Sequence, residues 1–122
     1  MTIIQKVVLL ENFTDKLGRI YNEADLISNT YGKKFYGEIQ SISSDLAINL
    51  IRVSHTIDNI VVANNNLIGD ITILETPSGK ILQGLIDVGA NLITSIRATG
   101  IVNDYKKVTN VKLVTFDIDG HR

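Results

Sequence analysis

The feature that most constrains the fold is an alternation of apolar and polar side chains over residues 50–63. A spacing of two places alternate residues on one face of an extended strand, and here that face holds Ile51, Val53, His55 and Ile57. Asn64-Asn65-Asn66 follows, and asparagine tolerates the left-handed backbone of a tight turn. Residues 67–74 then return as a second strand, so the pattern predicts a β-hairpin.

Other segments predict further strands and two helices. The strand-like runs are 3–11, 19–21, 34–42, 92–102 and 108–118. Asn22 suits the N-cap of a short helix that ends near Tyr31. Thr76 and Pro77 are typical of the start of a second helix, and Gly89 is typical of its end.

This second helix has apolar residues at helical spacing, and the predicted buried face consists of Ile81, Leu82, Leu85 and Ile86. We predict an α+β fold, a small and mostly antiparallel β-barrel or sandwich flanked by one or two helices. With 122 residues and no linker or repeat, the whole chain, 1–122, is expected to form a single domain.

Charge and composition exclude several functions. Twelve basic and 13 acidic residues give a net charge of -1, which argues against binding to nucleic acid through phosphate neutralisation. The chain has no cysteine and two histidines, so we expect neither a metal site nor a cofactor. The apolar runs are too short to span a membrane, and the start of the chain does not resemble a signal peptide.

The chain is 44% hydrophobic, which is high for a small free monomer. Two explanations stay open at this point. An AT-rich genome favours isoleucine and asparagine without any functional reason, whereas a subunit that buries surface against a partner also needs apolar residues.

Ser54 and His55 are neighbours, but successive residues of a strand point to opposite faces. We therefore expect them not to form a nucleophile–base pair. His55 lies in an aliphatic row and is expected to be a structural histidine that donates to a backbone group. His121 is expected on the surface near the end of the sequence.

Several segments, in the same order along the chain, resemble the prohead maturation proteases of tailed bacteriophages, serine proteases that share a fold with herpesvirus assemblins. The family patterns include "Gly-Glu-Leu-x-His-Pro", "Arg-Val-Ser-His-x-Ile", "Thr-Pro-x-Gly-Lys-Ile" and "Gly-Val-Ser-Ser-Arg-Gly-x-Gly". The matching segments are Leu17–Asn22, Gly37–Ile42, Arg52–Ile57, Gly69–Ile81, Ile93–Gly100 and Lys112–Ile118. The resemblance spans nearly the whole chain and implies a small barrel flanked by helices.

The departures from the family fall on its catalytic residues. The resemblance places the nucleophile at Ser95, but Ser41 stands where the family has its general-base histidine. A serine hydroxyl is no useful base near neutral pH. Glycines beside the nucleophile are replaced by Ile93 and Ala98, and the second serine is Ile96.

Other residues offer only weak replacements for the missing base. His55 matches a non-catalytic histidine of the family, and the remaining options are His121, Asp104, Asp117 and Asp119. Arg97 matches the arginine that follows the nucleophile, and we interpret it as a solvated or interface arginine, with a surviving role in the site as the alternative.

The sequence therefore predicts a pseudoenzyme with no catalytic residue, in which Ser95, Ser41 and Arg97 are vestigial. The expected role is an auxiliary or decoration protein of a bacteriophage virion. Its partners would be the major capsid protein and other virion proteins, with a homo-oligomer as a further option, and the capsid would assemble in the host cytoplasm. The alternatives are an active prohead maturation protease that uses Ser95 with an altered catalytic set, and a regulator of a true protease.

Overall fold

The computed structural model describes residues 2–39 and 46–120. The described residues are mostly β-structure with two α-helices, which confirms the α+β prediction. In chain order the elements are β1 (Thr2–Glu11), β2 (Ile20–Tyr21), α1 (Glu23–Thr30), β3 (Phe35–Glu38), a 3-10 turn (Leu50–Arg52), β4 (Val53–Ala63), β5 (Asn66–Ile73), α2 (Pro77–Asp87), β6 (Leu92–Val102) and β7 (Lys107–Gly120).

The described strands form two sheets rather than a closed barrel, so the sandwich form of the prediction is the correct one. A four-stranded sheet has the order β1-β5-β4-β3, and a three-stranded sheet has the order β2-β7-β6. The sheets meet where Ile39 pairs with Ile118 and where the Thr115 hydroxyl donates to the Tyr36 carbonyl. On the opposite side, Thr94 Oγ1 of β6 donates to the carbonyls of Val8 and Leu9 of β1. This side-chain link between the two sheets is called the seam below.

The predicted hairpin is confirmed. Asn64 and Asn65 have positive φ angles of 53° and 63°, and β4 and β5 pair from Ala63↔Asn66 back to His55↔Ile73. Two consecutive residues with positive φ are characteristic of the hairpin turn whose twist matches that of the strands. The start of the first hairpin strand is predicted wrongly. Leu50–Arg52 forms a 3-10 turn that Asn49 caps, and the strand begins only at Val53.

Both helices begin where their caps predict. The Asn22 side chain accepts from Asp25 N, and the Thr76 hydroxyl accepts from Gly79 N. The predicted face of α2 is partly wrong. Leu82 is fully buried, whereas Ile81 is 61% exposed, since only the face with Leu82 and Gly79 turns towards the sheets.

The core fills the space between the two sheets and the helices. Its buried members include Leu9, Leu26, Ile57, Leu82 and Phe116. Phe116 belongs to β7 and Ile57 to β4, so the same apolar cluster joins both sheets. Burying such aliphatic and aromatic side chains supplies the main favourable free energy of folding.

Candidate functional site

Four of the sequence-predicted site positions, Ser95, Arg97, Asp117 and Asp119, lie on one face of the β6–β7 pair, whereas Asp104 lies in the turn between these strands. Ser95 lies opposite Asp117 in the ladder, and Ile93 lies opposite Asp119. Since alternate residues of paired strands share a face, Ser95 and Arg97 are on the same side as both aspartates. Ser41 lies outside the described residues, as does His121.

Ser95 makes a short hydrogen bond to a carboxylate. Its hydroxyl donates to Asp119 Oδ2 at 2.6 Å, and Lys16 Nζ donates to the same oxygen at 3.3 Å. Asp119 is mostly buried, with its side chain 15% exposed, while Lys16 reaches it from solvent. Among the acids proposed as substitutes for the base, the structure brings Asp119 to the Ser95 hydroxyl.

Arg97 is buried in a network of charges, so its interpretation as a solvated or interface arginine is wrong. Its guanidinium donates to both carboxylate oxygens of Asp117, from Nε at 2.9 Å and from Nη2 at 2.8 Å. Nη2 also donates to Glu38 Oε2 at 3.2 Å, and Arg52 approaches the other oxygen of Glu38. Two carboxylates thus surround one buried cation, which explains why Arg97 is withdrawn from water.

Burial raises the pKa of Asp117 above its ordinary value, although hydrogen bonds from Glu38 N and Arg97 oppose the rise. In the described residues every buried side-chain nitrogen and oxygen atom has a hydrogen-bond partner. The network is therefore fully satisfied, as a structural network must be to offset the desolvation of its charges.

Ser54 and His55 form a hydrogen bond, so the expectation that they point apart is wrong. Ser54 Oγ lies 2.7 Å from His55 Nδ1. The pairing of β4 with β3 jumps from His55↔Gly37 to Val53↔Glu38, which makes Ser54 the extra residue of a β-bulge. A bulge redirects the side chain of its extra residue, and the simple alternation of the strand fails there.

His55 is the structural histidine that the sequence predicts. Its Nε2 lies 2.9 Å from the Phe116 carbonyl, which can only accept, so Nε2 carries the proton and Nδ1 accepts from Ser54. Burial lowers the pKa of His55 to about 4. Both residues are 0% exposed, so this serine–histidine pair cannot meet a substrate.

Two glycines of the family-like motifs are required by packing. A methyl group at Gly37 would collide with the His55 ring and the Phe116 carbonyl, and one at Gly79 would collide with the Leu74 carbonyl. Gly37 and Gly79 therefore permit close packing, and Glu38 and Thr76 add hydrogen bonds that join the sheets to each other and α2 to β4.

The sequence analysis did not predict the roles of Glu38 and Lys16. For Glu38 the "Gly-Glu" segment was the available signal.

A cleft of about 590 Å³ lies beside Ser95, between β1, β6 and the turn that carries Lys16 and Arg19. Its walls are mostly aliphatic, with Ile71 and Ile118 at the level of the core. In the described part of the chain no group of three metal-ligating side chains is close enough to hold an ion, and no helix is long and apolar enough to cross a membrane.

Comparison with known proteins agrees with this architecture. No protein-family model and no curated protein sequence matches the chain. The chain has a prohead-protease-like fold. It is similar to the solved structure of the bacteriophage T4 capsid assembly protease, gp21, with a TM-score of 0.76 and 18% sequence identity, over 100% of this chain and 92% of that chain. The family resemblance seen in the sequence is thus confirmed at the level of the fold.

Proposed function

We propose that this chain is a non-proteolytic component of a bacteriophage capsid, an auxiliary or decoration protein that binds the major capsid protein. One observation carries the proposal. The Ser95 hydroxyl donates to a carboxylate, that of Asp119, and this carboxylate is also paired with Lys16. His55, the one histidine within residues 2–39 and 46–120, is buried elsewhere with both ring nitrogens hydrogen-bonded.

The chemistry of this arrangement is poor for nucleophilic catalysis. Carboxylic acids ionise about two pH units below imidazole, so a carboxylate removes a hydroxyl proton far less readily. Lys16 Nζ donates to the same Asp119 oxygen at 3.3 Å, so the oxygen that would have to take the Ser95 proton already accepts from a second donor. Ser95 is therefore expected to behave as an ordinary alcohol.

The backbone around Ser95 supports the same proposal. β6 and β7 pair without interruption from Leu92↔Gly120 to Arg97↔Thr115. In a regular strand, successive N–H groups point to opposite sides, so two neighbouring donors cannot be aimed at one oxyanion. The isoleucines at positions 93 and 96 suit this strand conformation.

A serine-directed fluorophosphonate probe tests the proposal. We expect no labelling of the wild-type protein above that of Ser95→Ala, in a reaction where an added serine hydrolase is labelled. The composition of purified mature particles gives the second measurement, because a capsid component is retained in stoichiometric amounts. Labelling that disappears in Ser95→Ala would overturn the proposal, and expulsion from mature particles would favour a regulator of assembly.

One observation favours a second candidate, a serine protease with an altered catalytic set. The 2.6 Å bond from Ser95 to Asp119 is short enough for proton transfer to a carboxylate base. Labelling that is abolished by both Ser95→Ala and Asp119→Asn, and kept by Lys16→Gln, would support this candidate.

A further inference from the structure

Two turns lie side by side at one end of the molecule. The first contains Lys16 to Ile20 and the second contains Ile101 to Lys107. Ile20 N donates to the Lys106 carbonyl at 2.8 Å, and Ile20 pairs with Lys107 at the start of β7. We call the exposed face of these two segments the paired-turn surface.

Side-chain hydrogen bonds fix both turns. Asp15 Oδ1 accepts from Leu17 N and Arg19 N, at 2.9 and 3.0 Å. Asn103 Oδ1 accepts from Tyr105 N and Lys107 N, also at 2.9 and 3.0 Å. Because the backbone is already ordered, binding at this surface would cost little conformational entropy.

The turns hold large apolar side chains in solvent. Leu17 is 61% exposed and Tyr105 is 80% exposed, and further exposed apolar residues at this end are Ile20, Ile101 and Val102. Exposed tyrosine and aliphatic side chains among charged residues are typical of protein interaction surfaces.

The accessible charge of this surface is positive although the whole chain carries -1. Lys16 and Arg19 have side chains 62% and 40% exposed, whereas their partners Asp119 and Asp15 are only 15% and 5% exposed. Lys106 and Lys107 add two exposed cations, against one exposed acid, Asp104. A partner therefore meets mainly cations, with the paired carboxylates beneath them.

We propose that the paired-turn surface binds an acidic segment of a partner protein, in which apolar side chains alternate with carboxylates. The carboxylates would pair with Lys106 and Lys107, and the apolar side chains would cover Leu17 and Tyr105. This inference rests on the proposed function, because the acidic segment is taken to belong to the capsid partner proposed there. Lys16 and Leu17 also line the cleft beside Ser95, whereas Lys106 and Lys107 do not, so variants of these two lysines test the binding surface separately from the proposed function.

The test uses a short fluorescent peptide of repeated Glu-Glu-Leu, measured by fluorescence anisotropy and by backbone amide chemical shifts. We expect shifts at Leu17 and Tyr105, and binding that weakens as salt is added. Peptides of repeated Glu-Glu-Gly and Lys-Lys-Leu are expected to bind much more weakly, because each lacks one of the two complementary features.

The double variant Lys106→Glu/Lys107→Glu is expected to lose about tenfold in affinity, since both charges turn repulsive. The matched control, Lys33→Glu/Lys80→Glu, changes the net charge equally at two exposed positions outside this surface, on the loop after α1 and on α2. Thermal unfolding verifies that both variants fold, and Tyr105→Ser tests the apolar part separately.

An equal loss of affinity in the control variant, or shifts confined to other surfaces, would overturn the proposal. Vesicles containing phosphatidylserine form the last arm. Binding to vesicles that is tighter than binding to the peptide, and that is lost in Lys106→Glu/Lys107→Glu, would replace the acidic protein segment with a membrane. Fluorophosphonate labelling at Ser95 would leave this result unaffected and would contradict only the proposed function.

Discussion

His55 of β4 donates from Nε2 to the Phe116 carbonyl of β7 at 2.9 Å, and this bond joins the two sheets inside the core. The ring is 0% exposed and has the backbone of Gly37 against its edge. The neutral form of His55 makes both of its hydrogen bonds. Its contribution is therefore measured as the stability of the fold rather than as an activity.

The free energy of unfolding is expected to fall as the pH is lowered from about 6.5 to 4. Burial lowers the pKa of His55 to about 4 in the folded chain, so between these values the unfolded chain binds a proton that the folded chain does not. Stability is therefore complete above pH 6.5 and decreases towards pH 4, by at most about 3 kcal/mol.

Denaturant unfolding at several pH values, for the wild type and for His55→Gln, measures this effect. Glutamine keeps a donor but does not titrate, so the curve of the variant is expected to be flatter in this window. Parallel curves for the two proteins would show that other groups cause the pH dependence.

Gly37→Ala is expected to lower the free energy of unfolding by about 1–3 kcal/mol or more. The added methyl group meets the His55 ring and the backbone of Phe116, which cannot move without breaking the packing between the sheets. Gly84→Ala is the matched control, because nothing lies within 4 Å of its new methyl group. Inside α2 this control should raise stability by about 0.5–1 kcal/mol. Equal effects of the two substitutions would contradict the predicted close contact.

Arg97→Met is expected to cost about 3–5 kcal/mol, because it leaves Asp117 buried without its cation and leaves Glu38 with only the half-exposed Arg52. Combining it with Glu38→Gln and Asp117→Asn removes the uncompensated charges and should restore part of the loss. Denaturant titration of the two variants gives the comparison. A triple variant less stable than Arg97→Met would show that the carboxylates stabilise the fold independently of Arg97.

Thr94→Val is expected to loosen the seam, since valine has the shape of threonine without its hydroxyl. The loss of the bonds to Val8 and Leu9 should cost about 1 kcal/mol. Amide hydrogen exchange is expected to accelerate in β1 more than in β4. Thr99→Val, an exposed threonine of the same strand, serves as the control and should leave the exchange of β1 unchanged.

Elements of this chain could be predicted where a local signal determines the structure. Asn64 and Asn65 determine a turn, and Thr76 with Pro77 determines a helix start, because each acts through its own backbone or its nearest neighbours. The bounds of β6, Leu92–Val102, agree with the sequence for the same reason.

The predictions that are wrong concern side chains whose direction or burial depends on residues far away in the sequence. The direction of the Ser54 side chain depends on a bulge formed with β3, and nothing within β4 signals that bulge. Arg97 is buried because Glu38 and Asp117 meet it from other parts of the chain. Ile81 follows the helical period correctly, yet the sheets approach the other side of α2.

At the seam, the described strands β1 and β6 are linked by a side chain rather than by a main-chain ladder. A barrel closed by main-chain ladders on every side can change its circumference only by breaking a row of hydrogen bonds. Here the two sheets share backbone pairing where Ile39 meets Ile118, and on the other side the seam uses a side chain, Thr94. Opening the sandwich on this side therefore breaks one or two side-chain hydrogen bonds rather than a row of main-chain bonds, while the apolar core and the His55–Phe116 bond still hold the sheets together behind it.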